Sequence, residues 1–229
     1  MNMDTGQSSF NGFTPHTLGF LADLAANNRK EWFEAHKDEY RRFLQEPLQQ
    51  LAAALAGPLM AIDPDLVVEP RRVVSRIYRD TRFSRNKSPY KTTMWLTYKR
   101  PITNWQDAPA CFFEIGADSY RFGMGFYSAS KGTMDRLREE IEQREERFRQ
   151  AVAFLGEQDN FVVEGDLYKR VLRPDLPEDL QEWHRRKSLY LVCNRQPDQA
   201  FFTRRLAGDL RQGFFLLAPL YHYLAALSG

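Results

Sequence analysis

Cysteine is nearly missing: Cys111 and Cys193 are the two in a chain of 229 residues. Each sits in an apolar stretch, "ACFFEIG" and "LYLVCN", away from the other and from any histidine. Both residues read as buried free thiols rather than as reactive or metal-binding ones. The four histidines, His16, His36, His184 and His222, are widely spaced, with no zinc-ligand pattern among them, so no metal and no cofactor are expected. Long apolar runs are missing too. The longest, 51–62 and 213–227, are interrupted by proline and fall short of the roughly 20 residues that cross a bilayer. Residues 1–13 have neither a basic start nor an apolar segment, so no secretory signal is expected and the chain reads as cytoplasmic, with a flexible N-terminus over 1–13. Nor is there an excess of one charge, since 32 Lys and Arg against 30 Asp and Glu leave a net +2. A protein that coats nucleic acid or an anionic membrane with its whole surface is excluded, and any recognition of an anion must be local.

What is present is material for a core, with 43% hydrophobic residues, no internal repeat and no Gly/Ser linker, so 14–229 reads as a single domain. "TPHTLGFLADLAANN" reads as a first helix, with Thr14 as cap, Pro15 in its first turn, and Leu18, Leu21 and Leu24 on one face. A second helix starts after Asn28, placed to cap it with Glu31 in a capping box, and carries Trp32, Phe33, Tyr40, Phe43 and Leu44. Pro47 is expected to kink or restart it, and Asp63-Pro64 to end it. From Val67 to Arg79, and through "TTMWLTYKR", "ACFFEIG" and "YRFGMGFYS", β-branched and aromatic residues predict strands. Gly123 and Gly125 within the last of these mark a bulge or the close approach of another element. Helix is expected over 130–155 with Thr133 as cap, then a short strand near Phe161, a helix from Glu178, a strand at "KSLYLVC" and two closing helices. The fold class is α+β: a largely antiparallel sheet of about five strands flanked by N-terminal and C-terminal helices.

Positive charge is concentrated in one place. "RIYRDTRFSRNKSPYK" carries Arg76, Arg79, Arg82, Arg85, Lys87 and Lys91 with one carboxylate, Asp80. Two guanidinium groups about 6 Å apart in a half-buried setting repel by roughly 3 kcal/mol, against roughly 0.4 kcal/mol at about 10 Å in water. If these side chains splay into solvent, they need no partner; if they converge, something negative must be there. Internal candidates are Asp80, Glu69, Glu114 and Asp118, and in this alternative the segment belongs to a structural or protein-interaction module whose arginines pair with Asp80 and Glu114. The functional reading is anion (phosphate) recognition. Arg76, Arg79 and Arg82 would hold the anion and Asp80 would orient an arginine, while Lys87, Tyr90 and Lys91 complete the rim and Phe83 offers a ring for stacking. The expected ligand is a phosphorylated small molecule or short nucleic acid. No membrane partner is expected; a protein partner or self-association stays open. No nucleophile with its base and no convergent carboxylate pair is legible, so no reaction is assigned.

The same segment carries a resemblance. Together with "FLADLAANNRKEWFEAHKDEY" and "FFLLAPLYHYL" it resembles a bacterial family known as domain of unknown function 2461. The likeness covers nearly the whole chain. The family's signature runs arginine, two residues, Arg-Asp, one residue, Arg-Phe, then Asp or Asn before Lys and a nearby Tyr. It falls here on Arg76, Arg79, Asp80, Arg82, Phe83, Asn86, Lys87 and Tyr90. The resemblance implies that this loop belongs to a shared design and implies no particular reaction.

Overall fold

Proline sets the course of the helical N-terminal region in the computed structural model, which describes residues 9–227. Pro15 stands in the first turn of α1 (Pro15–Ala26), where its missing N–H costs nothing. Thr14 precedes it, its N–H donating to the Thr17 hydroxyl at 3.2 Å. The chain continues through α2 (Lys30–Ala35), α3 (Lys37–Tyr40), a π-helical turn Arg41–Gln45 and α4 (Glu46–Ile62). The expected restart at Pro47 takes the form of that π turn. Pro47 has no N–H to give the Phe43 carbonyl, and the fully buried Thr17 of α1 donates its hydroxyl to that carbonyl at 2.7 Å. One hydroxyl thus joins α1 to the helix that Pro47 interrupts. α4 ends at Ile62 with Asp63 as its C-cap, and buries Leu48, Leu51, Leu55 and Leu59.

The chain divides into two compact units whose ranges alternate in sequence. The first takes the chain up to Thr97, Phe113–Tyr120 and Arg195–Arg211; the second takes Tyr98–Phe112, Arg121–Asn194 and the chain from Gln212 on. Residues 1–8 of the expected flexible start lie outside the described residues, whereas Phe10 and Phe13 are buried. In the first unit the Phe13 ring stacks on Phe113 at 5.9 Å and on Phe201 at 4.9 Å. In the second, Phe122 meets Phe161 and Phe214 edge-on, and Phe148 meets Trp183 and Tyr223.

Five strands form one antiparallel sheet in the order β1-β2-β3-β5-β4, so the protein is α+β. They are β1 (Met94–Tyr98), β2 (Pro109–Ile115), β3 (Tyr120–Phe126), β4 (Val162–Glu164) and β5 (Tyr190–Arg195). β1 alternates: Met94, Leu96 and Tyr98 are buried, with half-buried residues between. A tight turn joins β2 to β3, the Gly116 N–H donating to the Ser119 carbonyl at 2.8 Å. Gly123 and Gly125 of β3 are sites of close approach, because a side-chain carbon at Gly123 would lie 1.9 Å from the Leu191 carbonyl oxygen and one at Gly125 2.4 Å from Tyr190 Cα. β4 pairs with β5, Val163 opposite Leu191.

The remaining helices are α5 (Pro70–Val73), which precedes β1, and α6 (Lys131–Gln143), α7 (Glu145–Val152), α8 (Glu178–His184) and α9 (Arg205–Ala225), which lie between and after the strands. Three of these correct the sequence reading. The strand expected over 67–79 begins instead as a single helical turn, because Pro70 suits a first helical turn, and only isolated bridges follow it at Val74 and Tyr78. The cap of α6 is Ser130, whose hydroxyl accepts from the Thr133 N–H at 3.2 Å; Thr133 lies inside the helix and donates its own hydroxyl to Asp107 at 2.9 Å. Finally, 198–204 is turn rather than helix, and the two expected closing helices are one, α9, which runs through Pro219. The carbonyl that Pro219 leaves without a helical donor belongs to Phe215, which is exposed to water. No helix among the described residues is long and apolar enough to cross a membrane.

Thr17→Val keeps the shape of the side chain but strands the Phe43 carbonyl. It is expected to lower the unfolding free energy by about 1–3 kcal/mol, read by urea denaturation, with Thr17→Ser recovering most of the loss.

Candidate functional site

The segment with the concentrated charge is an incomplete hairpin. Residues 74–79 run antiparallel to 89–96, with bridges Val74↔Leu96 and Tyr78↔Tyr90. The Ser75 N–H donates to the Trp95 carbonyl at 2.8 Å, Lys91 N–H to Ile77 carbonyl at 2.8 Å, and Arg79 N–H to Pro89 carbonyl at 2.9 Å. Pro89 has no N–H to return, so the ladder stops there and 80–88 becomes a loop.

A distant side chain replaces the missing ladder. The Asn28 carboxamide takes both main-chain groups of Tyr90, accepting from its N–H at 3.0 Å and donating to its carbonyl at 3.0 Å. This corrects the expectation that Asn28 caps a helix: α2 starts after Arg29, and Asn28 is occupied with Tyr90. Asn27 does stay local, donating to the Asp23 carbonyl at 3.0 Å. The Tyr90 ring is buried and stacks on Phe33 at 4.2 Å, and Phe33 also meets Tyr40 at 5.4 Å. Burial, and next to it Tyr78, push the Tyr90 phenol up, so it stays a neutral donor.

The loop holds itself through a series of short local bonds. Asp80 takes the Arg82 guanidinium in a fork, Nε at 3.0 Å and Nη2 at 2.7 Å, and also accepts the Arg82 main-chain N–H at 3.1 Å. These bonds hold the Asp80 carboxyl down at about 2. Asn86 N–H donates to the Ser84 hydroxyl at 3.1 Å, Ser88 N–H to the Asn86 side chain at 2.9 Å, and Lys87 Nζ to the Thr81 carbonyl at 2.9 Å. Such side-chain turns are what Asp, Asn and Ser provide at these offsets.

The predicted site residues therefore separate into groups. Arg76, Arg79 and Lys91 belong to the paired base of the hairpin. Lys91 Nζ donates to the Arg76 carbonyl at 2.8 Å and lies 4.2 Å from the Trp95 ring centre. Burial lowers its pKa, and the Arg76 and Arg79 charges lower it further. Arg79 is half-buried, and its Nε–H is buried with no acceptor among the described residues. Asp80 and Arg82 are taken up with each other, and Lys87 with the loop backbone. Phe83 stands at the tip, 95% exposed, and Tyr90 is a buried anchor rather than a rim residue. Among the other carboxylates considered, Glu69 pairs with Arg72 at 3.6 Å, Asp118 accepts from the Ser119 hydroxyl at 2.9 Å, and Glu114 is half-buried in β2. Sequence reasoning missed Asn28 as the clamp and Trp95 as the surface under Lys91. Only the Asn28 position just outside a helix, where an amide is free to turn elsewhere, hints at the first. Among the described residues no three His, Cys, Asp or Glu side chains are grouped to hold a metal ion.

Two outcomes test this geometry. Asn28→Ala removes both bonds to Tyr90 and is expected to cost about 2 kcal/mol of stability and to speed amide exchange at Tyr90. The Asp80 carboxyl, followed by carbon-13 NMR, should titrate near 2, and in Arg82→Met it should return towards the ordinary 3.8. Because its folded value is depressed, what the pair adds to stability is complete above the ordinary value and is lost as the pH falls towards 2.

No curated protein matches the chain. A family model described as conserved hypothetical protein (DUF2461) matches residues 16–223, nearly the whole chain and all of the loop and its supports. The chain belongs to that family, domain of unknown function 2461.

Proposed function

We propose that the base of the Arg76–Lys91 hairpin recognises a phosphate-type anion, carried by a phosphorylated small molecule or a short nucleic acid. One observation carries this reading: Arg79 has a buried Nε–H with no acceptor among the described residues, close to Lys91, on which the charges of Arg79 and Arg76 both bear. A buried donor left unpaired costs about 1–3 kcal/mol, and like charges brought together in a half-buried setting add to that. An anion bound there would satisfy the donor and offset the repulsion in one step. Arg79 would supply Nε–H and Nη–H as a fork, Arg76 would close over the anion from its exposed position, and Lys91, held by the Arg76 carbonyl, would add a fixed charge. Arg82 is the arginine least suited to the ligand, since Asp80 already occupies its fork.

A second reading draws on that same Asp80–Arg82 pair: the arginines lock the loop, and its outer surface meets another protein. Arg76→Ala separates the two. Arg76 is exposed, so this variant is expected to change stability by no more than about 0.5 kcal/mol. Titration calorimetry with inorganic phosphate and tripolyphosphate should show binding to the wild type and a loss of about 10- to 100-fold in the variant, as expected for a charged hydrogen bond. No binding by the wild type, or equal binding by both, would overturn the proposal. A destabilised Arg76→Ala without phosphate binding would favour the locking reading.

A further inference from the structure

We infer that the partner of this loop is a single-stranded nucleic acid, with Phe83 as the platform on which a base stacks. The inference rests on the anion reading above and adds to it the ring at the loop tip. Phe83 is 95% exposed, and a phenylalanine left in water forgoes about 1.5–3 kcal/mol of burial. Slack in the chain is not the reason. The loop is tied by Asp80 to Arg82, Ser84 to Asn86, Asn86 to Ser88 and Lys87 to Thr81, so Phe83 is presented by a structured turn. The Arg82 guanidinium carbon lies 5.8 Å from the Phe83 ring centre, so the carboxylate that fixes Arg82 also fixes what lies beside the ring.

The neighbourhood of the ring selects among partners. Ser84, Arg85 and Asn86 follow it, all polar, so the tip offers one isolated aromatic face and no apolar patch. An anionic bilayer or a hydrophobic pocket in a protein rewards several apolar side chains together; a nucleobase rewards a single ring with polar surroundings. A second ring, Tyr78, is 54% exposed at the base of the hairpin and is held against Tyr90 at 5.5 Å. Cations accompany both: Arg76, Arg79 and Lys91 at the base, and exposed Arg85 at the tip. Rings alternating with cations along one hairpin match a strand in which bases alternate with phosphates.

The test is fluorescence anisotropy with a labelled oligothymidylate of about 12 nucleotides, an abasic phosphodiester of equal length, and vesicles containing phosphatidylserine. The proteins are the full chain, Phe83→Ala and Arg76→Ala, with inorganic phosphate binding measured in parallel. Phe83→Ala is expected to leave thermal stability and phosphate binding unchanged and to weaken the oligothymidylate by about 5- to 150-fold, the loss of one stacked base. The abasic strand should bind the wild type no more tightly than the oligothymidylate binds Phe83→Ala. Affinity should fall with salt with a log–log slope of about −3 for four cations, and Arg76→Ala should flatten that slope by about 0.7. Equal oligothymidylate affinity with and without Phe83, or an abasic strand that binds as well, would overturn the stacking role. Phosphate binding without oligothymidylate binding would overturn the inference and leave the anion reading standing; binding of neither would remove both. Phe83-dependent binding to vesicles without binding to the oligothymidylate would overturn it in favour of a membrane surface.

Discussion

The charged hairpin depends on one side chain that is not part of it. Pro89 cannot donate to a ladder, and without further support the chain from 80 to 88 would begin at an unsecured edge. Asn28 supplies the missing pairing as an amide that imitates a strand neighbour, giving and taking one hydrogen bond at Tyr90. The Tyr90 ring then carries this anchorage into the Phe33–Tyr40 cluster, where burial and stacking make it rigid. Each neutral hydrogen bond contributes about 1 kcal/mol, and the buried aromatic contact adds a comparable amount. A few kcal/mol is enough to fix the base of a short loop, and the cations at 76, 79 and 91 inherit their positions from it.

Within the hairpin, one carboxylate divides six cations into different roles. Asp80 is in reach of Arg82 in the fork geometry that favours arginine over lysine, so that pair is internal and self-sufficient. Lys87 and Lys91 each give an ammonium hydrogen to a main-chain carbonyl, which holds them while leaving their charge unneutralised. Counting charges along the sequence treats these residues alike, whereas the hydrogen bonds separate Arg82, forked onto a carboxylate, from Lys87 and Lys91, bonded to carbonyls.

Local signals were legible in the sequence and long-range ones were not. Pro15, Pro47 and the Asp63-Pro64 stop mark helix positions because a missing N–H has consequences within four residues. The alternation in 94–98 and the glycines of β3 are equally local in cause. The region 67–79 misled because its β-branched residues outweighed Pro70 in the reading, yet a single proline in a favourable first turn decided the backbone. The choice between Ser130 and Thr133 as a cap is a shift of three residues, and it turns on Asp107, which engages both residues from elsewhere in the chain. Asn28 is the sharpest case. Its pairing with Tyr90 spans 62 residues, and both an idle helix cap and a tertiary clamp look the same in a single sequence. At the site, the charge of the loop was legible, while the bonds that occupy Arg82, Lys87 and Lys91 depend on backbone turns that a count of charges does not show.

One of the two outer strands, β4, has three residues, Val162–Glu164, and pairs through them with β5. An outer strand is a template on which a second chain can add itself, and the hazard grows with the number of free main-chain groups in a row. Three residues offer too short a register to seed such growth, and Glu164 places a carboxylate at its end. The brevity of β4, which looks like a weak margin of the sheet, is therefore a safeguard against fibrous self-assembly at high concentration.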